Sequence, residues 1–164
     1  MRSRGFTIIE LVTVLVIVGA LAVFVAPRLN IQGFERYGFR QEVLSAARHA
    51  QKTAMASGCP VRFNADAANG RVELHFSAGG SDSACGDGST FNDALGHPAK
   101  GGPFVIAAPD GTAITTGGTV VFDGYGNPST GRTIIFNVGP PVTIEPVTGY
   151  AHLRPVRRAS PSSS

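Results

Sequence analysis

The sequence of 164 residues has no tryptophan, only two cysteines and few charged side chains. Charged residues make up 15% of the chain, whereas roughly 25% is usual in a soluble domain. Two cysteines are too few for a disulfide-dense mini-protein or a zinc ribbon. One long apolar run near the N-terminus, with no second run, excludes a multi-span membrane protein. The length allows one domain of ordinary size.

Motifs that carry catalysis or hold a cofactor are also missing. No G-x-S-x-G, Walker A, H-E-x-x-H or calcium-loop motif occurs, and the four histidines are isolated from one another in the sequence. The six aspartates after residue 58 stand in turn-like contexts, which favours a turn-forming role over a catalytic one. The sequence therefore predicts no enzyme, no cofactor and no metal site.

Charge is distributed unevenly along the chain. Residues 1–5 carry +2, residues 28–58 carry +3 and residues 59–150 carry −4, while three arginines give the tail +3. The basic segments are interpreted first as topology signals and solvated surface. A nucleic-acid surface is the weaker alternative, with Arg154, Arg157 and Arg158 as its candidate contacts.

Residues 6–26 form an apolar run of 21 residues that contains one charge, Glu10. A helix of this length measures about 31 Å, which matches the hydrocarbon core of a bilayer. Arg2 and Arg4 precede it, so the N-terminus is predicted to be cytoplasmic. A secretory signal peptide would have a shorter apolar core, and a plain signal anchor does not explain Glu10. A carboxylate in an apolar helix needs a charged partner, and its own segment offers none.

Residues 5–12 read Gly-Phe-Thr-Ile-Ile-Glu-Leu-Val, and this motif resembles the class III signal of type IV prepilins and type II secretion pseudopilins. The resemblance implies cleavage between Gly5 and Phe6 by a prepilin peptidase, and N-methylation of Phe6. It also implies that Glu10 neutralises the terminal amine of a neighbouring subunit during assembly. Gly19 and Pro27 match the family's mid-helix glycine and helix-kinking proline.

Residues 33–57 continue as a helical pattern with a stripe of Leu44, Ala47, Ala50 or Gln51, and Ala54. Gly58 and Pro60 predict the end of this helix. The small stripe predicts a broad, flat partner such as a sheet. Residues 46–59 resemble the helix end of GspH/FimT-type minor pilins, and most closely that of a minor pilin of the mannose-sensitive haemagglutinin (MSHA) system.

Cys59 and Cys85 are predicted to form a disulfide, because the far side of a bacterial inner membrane is oxidising. The bond would close a loop of about 25 residues. Free thiols and a metal site are the alternatives, but no C-x-x-C occurs, and His75 and His97 lack ligand spacing to the cysteines.

Short alternating runs after residue 58 predict strands, and glycine pairs punctuate them. The predicted strands are 61–63, 72–76, 104–106, 120–122, 133–136, 142–144 and 150–153. Residues 77–103 are predicted to be a long loop. Residues 121–128 resemble the family's F-D-x-x-G-x-P hairpin and residues 146–150 its closing turn. The arginines lie beyond the position that they occupy in the family's DNA-binding members, so the match to a DNA-binding tip is poor.

The predicted fold class is α+β and type IV pilin-like: a long N-terminal helix, membrane-spanning in its first half, packs on a C-terminal antiparallel sheet. The predicted segments are a leader (1–5), a membrane and assembly helix (6–27), an amphipathic helix (28–58), a β domain (59–153) and a disordered basic tail (154–164). The resemblance implies a minor pilin or pseudopilin that primes or caps a pilus-like filament. The alternatives are a DNA-binding pilin for uptake and a pseudopilin at a type II secretion tip. The implied partners are other pilins, the peptidase, the inner-membrane assembly platform and the lipid bilayer, with the β domain periplasmic.

Overall fold

A computed structural model of the chain describes residues 7–25, 31–77, 85–86 and 88–155. The chain divides into two units, Met1–Phe34 and Glu35–Ser164. The first unit contains helix α1, and the second contains most of helix α2 and all the strands that the structure describes.

Helix α1 (Ile8–Val25) begins after Thr7. The backbone N–H of Glu10 donates to the Thr7 carbonyl at 3.1 Å and lies 3.4 Å from its hydroxyl, so Thr7 acts as the N-cap. Between Ile8 and Leu21, the large apolar side chains of α1 are exposed, from 48% at Val14 to 84% at Ile8. Helix α1 covers most of the helix predicted for residues 6–27. In the part of the chain that the structure describes, no helix combines the length and apolarity needed to cross a membrane.

Helix α2 (Ile31–Ser57) ends where the sequence predicts. Gly58 follows it with a φ of +70°, a left-handed conformation that suits glycine at this position. The Ser57 hydroxyl accepts the N–H of Cys59 at 3.2 Å. Ala46, Ala47, Ala50 and Ala54 are completely buried along one face. Since alanine lets a backbone approach closely, this face packs tightly on the sheets, as predicted.

Nine short strands in the described residues form two antiparallel sheets. In the first sheet, β1 lies between β2 and β6, while β3 and β4 pair with opposite ends of the other edge of β2. The second sheet has the order β5-β7-β8-β9. The strands are β1 (Val61–Asp66), β2 (Arg71–Phe76), β3 (Asp93–Ala94), β4 (Val105–Ala107), β5 (Ile114–Thr116), β6 (Gly118–Phe122), β7 (Arg132–Phe136), β8 (Val142–Ile144) and β9 (Ala151–Leu153).

The core lies between α2 and the inner faces of the strands, which alternate in burial as a half-buried strand should. In β1, for example, Val61, Phe63 and Ala65 are buried and the residues between them are not. The largest fully buried side chains come from strands of both sheets, and they include Phe63, Leu74, Phe122, Ile134 and Ile144.

The sequence-based prediction was wrong in two details of the sheet. It gave one sheet of five to seven strands, whereas the described residues form two sheets, and it missed β3 and β5. Strand β3 is only Asp93–Ala94, inside the segment predicted as loop, and it pairs with His75 and Phe76. Such a short polar pair has no alternating pattern that a sequence could reveal.

Candidate assembly site

Glu10 lies in the first turn of α1, within the sequence Thr7-Ile8-Ile9-Glu10. This is the spacing of a capping box, in which a threonine caps the helix three residues before a glutamate. The Thr13 hydroxyl donates to the carbonyls of Ile9 at 3.0 Å and Glu10 at 2.9 Å. Glu10 is exposed, and its carboxylate has no ion pair with any residue that the structure describes. The position near the helix N-terminus favours a negative charge.

Of the other residues predicted for this site, the structure describes only Gly19. Gly5, Phe6 and Pro27 lie outside the described residues. Gly19 is described, and a methyl group added at its Cα would meet nothing within 4 Å. The chain's own packing therefore gives no reason for a glycine at this position.

The predicted disulfide is confirmed. Cys59 and Cys85 are bonded, with their Cα atoms 5.1 Å apart. Cys59 is buried directly after α2, whereas Cys85 is exposed. Nearby, the Ser77 hydroxyl accepts the N–H of Gly88 at 3.0 Å. The bond therefore fastens the segment around residue 85 to the end of α2.

Two turns meet at the C-terminal end of α2, and Gln51 joins them. Its amide donates to the carbonyls of Gly126 at 2.9 Å and Thr148 at 2.8 Å. A methyl group on Gly124 would lie 2.3 Å from the carbonyl oxygen of Gly58. The first turn, in residues 121–128, is the hairpin whose sequence resembles F-D-x-x-G-x-P. The second, in residues 146–150, is the one that resembles the family's closing turn.

The carboxylate of Asp123 organises the first turn. It accepts the N–H groups of Tyr125 at 2.9 Å and Asn127 at 2.8 Å, and the Asn127 side-chain amide at 3.0 Å. The hydrogen bond from the Asn127 side chain is the main reason that the pKa of Asp123 is lowered, and the backbone donors add to it. Asp123 is thus a turn-forming residue, as predicted.

Three apolar side chains project from these two turns. Tyr125 is 88% exposed, Val147 78% and Tyr150 56%. Cζ of Arg48 lies over the Tyr150 ring, 5.6 Å from the ring centre. The same ring stacks on that of His152, with 5.6 Å between the ring centres. Because hydrogen bonds fix the turns, these side chains form a pre-organised exposed surface.

His49 and His97 were predicted to be isolated, and the structure corrects this. Both rings stack on Phe104, at 5.4 Å and 4.8 Å between ring centres. They line a cleft of about 380 Å³ whose floor includes Phe104 and Ile106. Burial lowers the pKa of His49, and the neighbouring His97 and Lys52 lower it further. His49 is half-buried, since its ring packs on Phe104 in this cleft.

Of the three arginines considered for nucleic-acid contact, the structure describes only Arg154, so it shows no cluster of them. Arg154 is exposed after β9, and its N–H donates to the Pro141 carbonyl at 3.0 Å. Arg157 and Arg158 lie outside the described residues. Also among the described residues, no three histidine, cysteine or acidic side chains are grouped to hold a metal ion.

A long helix packed on antiparallel sheets is the arrangement of the type IV pilin fold, and the chain has this fold. The crystal structure of the type IV minor pilin FimU of Pseudomonas aeruginosa, strain PAO1, is similar to it with a TM-score of 0.51. The similarity covers 80% of this chain and 96% of the FimU chain, at 16% sequence identity. No family model and no curated protein sequence matches the chain.

Proposed function

We propose that the protein is a structural subunit of a type IV pilus-like filament, either a minor pilin or a pseudopilin. The observation that carries this proposal is Glu10: a charged residue on an exposed apolar helix, with no cation beside it among the described residues. Such a helix is costly in water, and an unpaired carboxylate is costly in lipid or in a protein core. Packing against the same helix of other subunits removes both costs.

The anchoring and processing of the chain belong to the same proposal. Residues 6–27 hold the protein in the bacterial inner membrane before assembly, with the N-terminus cytoplasmic and the β domain periplasmic. A prepilin peptidase removes residues 1–5, and Phe6 is then methylated. Phe6 supplies the amine that pairs with Glu10 of a neighbouring subunit, since two opposite charges in a low dielectric offset each other's desolvation.

The fold supports this role, because FimU, which shares it, is a type IV minor pilin. The proposal covers both a minor pilin of the MSHA type and a pseudopilin at a type II secretion tip. The disulfide fits the oxidising compartment that this topology gives to the β domain.

Mature protein from the native host tests the proposal. Mass spectrometry should show a chain that begins at Phe6 with one added methyl group, and filaments sheared from cells should contain it. An unprocessed chain that begins at Met1 and stays with the cells, in a host with an active prepilin peptidase, would refute the proposal.

A further inference from the structure

Arg40 is the one charged residue that is buried among those the structure describes, with 7% of its surface exposed. Its Nη1 donates to the Val138 carbonyl at 2.9 Å, and its guanidinium lies 5.9 Å from the ring centre of Tyr37. The Nε–H group is buried and has no acceptor. No carboxylate of a described residue pairs with this cation.

Arg36 stands one helical turn before Arg40, so the two side chains lie on the same face of α2. The Nε of Arg36 is also buried without an acceptor. The Thr112 hydroxyl, whose residue is 9% exposed, lacks a partner too. These three groups carry at least three unused donors and two positive charges.

One glycine lies close against each of the two guanidiniums. A methyl group on Gly139 would lie 2.5 Å from Cζ of Arg40, and one on Gly111 would lie 3.0 Å from Nη2 of Arg36. Asn137 holds these two turns together, because its side chain accepts the N–H of Ala113 and donates to the carbonyl of Gly111. Both guanidiniums therefore lie against the same end of the second sheet.

This arrangement lacks a negative charge. A buried cation and buried donors are unfavourable unless an acceptor satisfies them, and like charges four residues apart on a helix repel each other. Glu35, Glu42 and Asp110 are the acidic residues nearest in the chain, and none of them forms an ion pair in the structure. An oxyanion would satisfy donors from both guanidiniums, whose fork geometry suits phosphate.

We infer that Arg36, Arg40 and Thr112 form a binding site for a phosphate oxyanion. The site lies directly beneath the surface, since Gly111, Val138 and Gly139 are exposed and Arg36 is only half-buried. The phosphate is either a free ion or the headgroup of an anionic phospholipid. The lipid source rests on the proposed function, because Arg36 and Arg40 follow the proposed membrane segment of residues 6–27 by only nine and thirteen residues, in a basic stretch of the chain.

The test uses the full chain, labelled with ¹⁵N-arginine and purified in an uncharged detergent. The Nε–Hε resonances of Arg36 and Arg40 are assigned from the Arg36→Lys and Arg40→Lys variants. Inorganic phosphate is then titrated against chloride at equal ionic strength. A second arm compares the same resonances in nanodiscs of phosphatidylglycerol and of phosphatidylcholine.

We expect a saturable phosphate-dependent shift of the Arg40 resonance that chloride does not produce. Arg36→Gln should weaken phosphate binding by about tenfold, the loss expected for a charge-assisted hydrogen bond. Arg62→Gln is the matched control, because Arg62 also has a buried Nε without an acceptor, but its guanidinium packs on the Phe91 ring and donates to the Phe91 carbonyl. This variant should bind phosphate like the wild type.

The two arms separate the sources of phosphate. A shift in phosphatidylglycerol discs that matches the phosphate shift, and is absent in phosphatidylcholine, supports the lipid headgroup. A shift with inorganic phosphate alone supports the free ion. No saturable shift in either arm overturns the inference, and so does an equal effect of Arg36→Gln and Arg62→Gln. Because these measurements need no filament, their failure is distinguishable from a failure of the proposed function.

Discussion

Single polar side chains determine the surface at the end of α2. Gln51 joins two turns that lie 75 and 97 residues further along the chain. From the sequence, Gln51 is an alternative member of the helix stripe. A local pattern cannot show partners this distant in the chain. Asp123 was predicted correctly, since the groups that donate to its carboxylate lie within four residues of it. Local turn chemistry is thus predictable from sequence, and long-range hydrogen bonds are not.

His49 makes the stability of the β domain sensitive to acid. Its ring stacks on Phe104 beside His97, whose Nδ1 accepts the N–H groups of Ala99 and Lys100, both at 3.1 Å. Because the pKa of His49 is lowered in the folded state, the unfolded chain binds more protons at mildly acidic pH. The free energy of unfolding is therefore highest above the unfolded pKa of roughly 6.5, and it decreases as the pH falls below that value.

We therefore expect the Tm of the full chain in detergent to fall between pH 7.5 and pH 5.5, and His49→Gln to make that fall smaller. Glu42, Lys52 and Lys100 surround the two rings, and only Glu42 would favour the charged form. His152→Gln is the control, since His152 lies 3.8 Å from Glu145 and not in the cleft. A pH dependence that is the same in His49→Gln and the wild type would contradict this account.

At the scale of elements, the alanine face of α2 is the contact on which the fold depends. The sequence predicted the C-terminal end of this helix and its buried stripe, because periodicity and a glycine C-cap are strong local signals. The sequence could not predict the division into two sheets. That division follows from side-chain packing between strands that are distant in the chain.

Replacement of Ala50 by leucine tests the close approach of α2 to the sheets. Ala50 is completely buried, so the larger side chain should reduce the free energy of unfolding by about 1–3 kcal/mol. Ala56→Leu, on the exposed side of the same helix, should change it by less than about 0.5 kcal/mol. Chemical denaturation of the full chain in detergent measures both. Equal effects of the two substitutions would show that the alanine face does not limit packing.

The disulfide is the second feature at this scale. The double variant Cys59→Ala and Cys85→Ser should lose about 3 kcal/mol of stability, because the unfolded chain is no longer constrained by a loop of 26 residues. Alanine is chosen for Cys59 because that site is buried. The midpoint of denaturation should fall to that of the reduced wild type. An unchanged midpoint would mean that the bond does not stabilise the domain.

At the scale of the whole molecule, the chain combines a β domain that buries its apolar surface with a helix that exposes it. The sequence predicted this division, since the apolar run of residues 6–26 is a local feature. The capping box of α1 gives Glu10 a second explanation, in which the side chain only stabilises the helix start. The two explanations predict different results for the same substitutions.

Glutamine at position 10 keeps the capping geometry and removes the charge, whereas valine at position 7 removes the capping hydroxyl and keeps the charge. The decisive measurement compares wild type, Glu10→Gln and Thr7→Val in one host, as the ratio of chain in sheared filaments to chain in cells. The proposed ion pair predicts that Glu10→Gln is synthesised normally but incorporated at least about tenfold less, the effect of losing one charge-assisted contact. Thr7→Val should be incorporated nearly like the wild type. Incorporation of Glu10→Gln at the wild-type level would contradict the assembly role of Glu10.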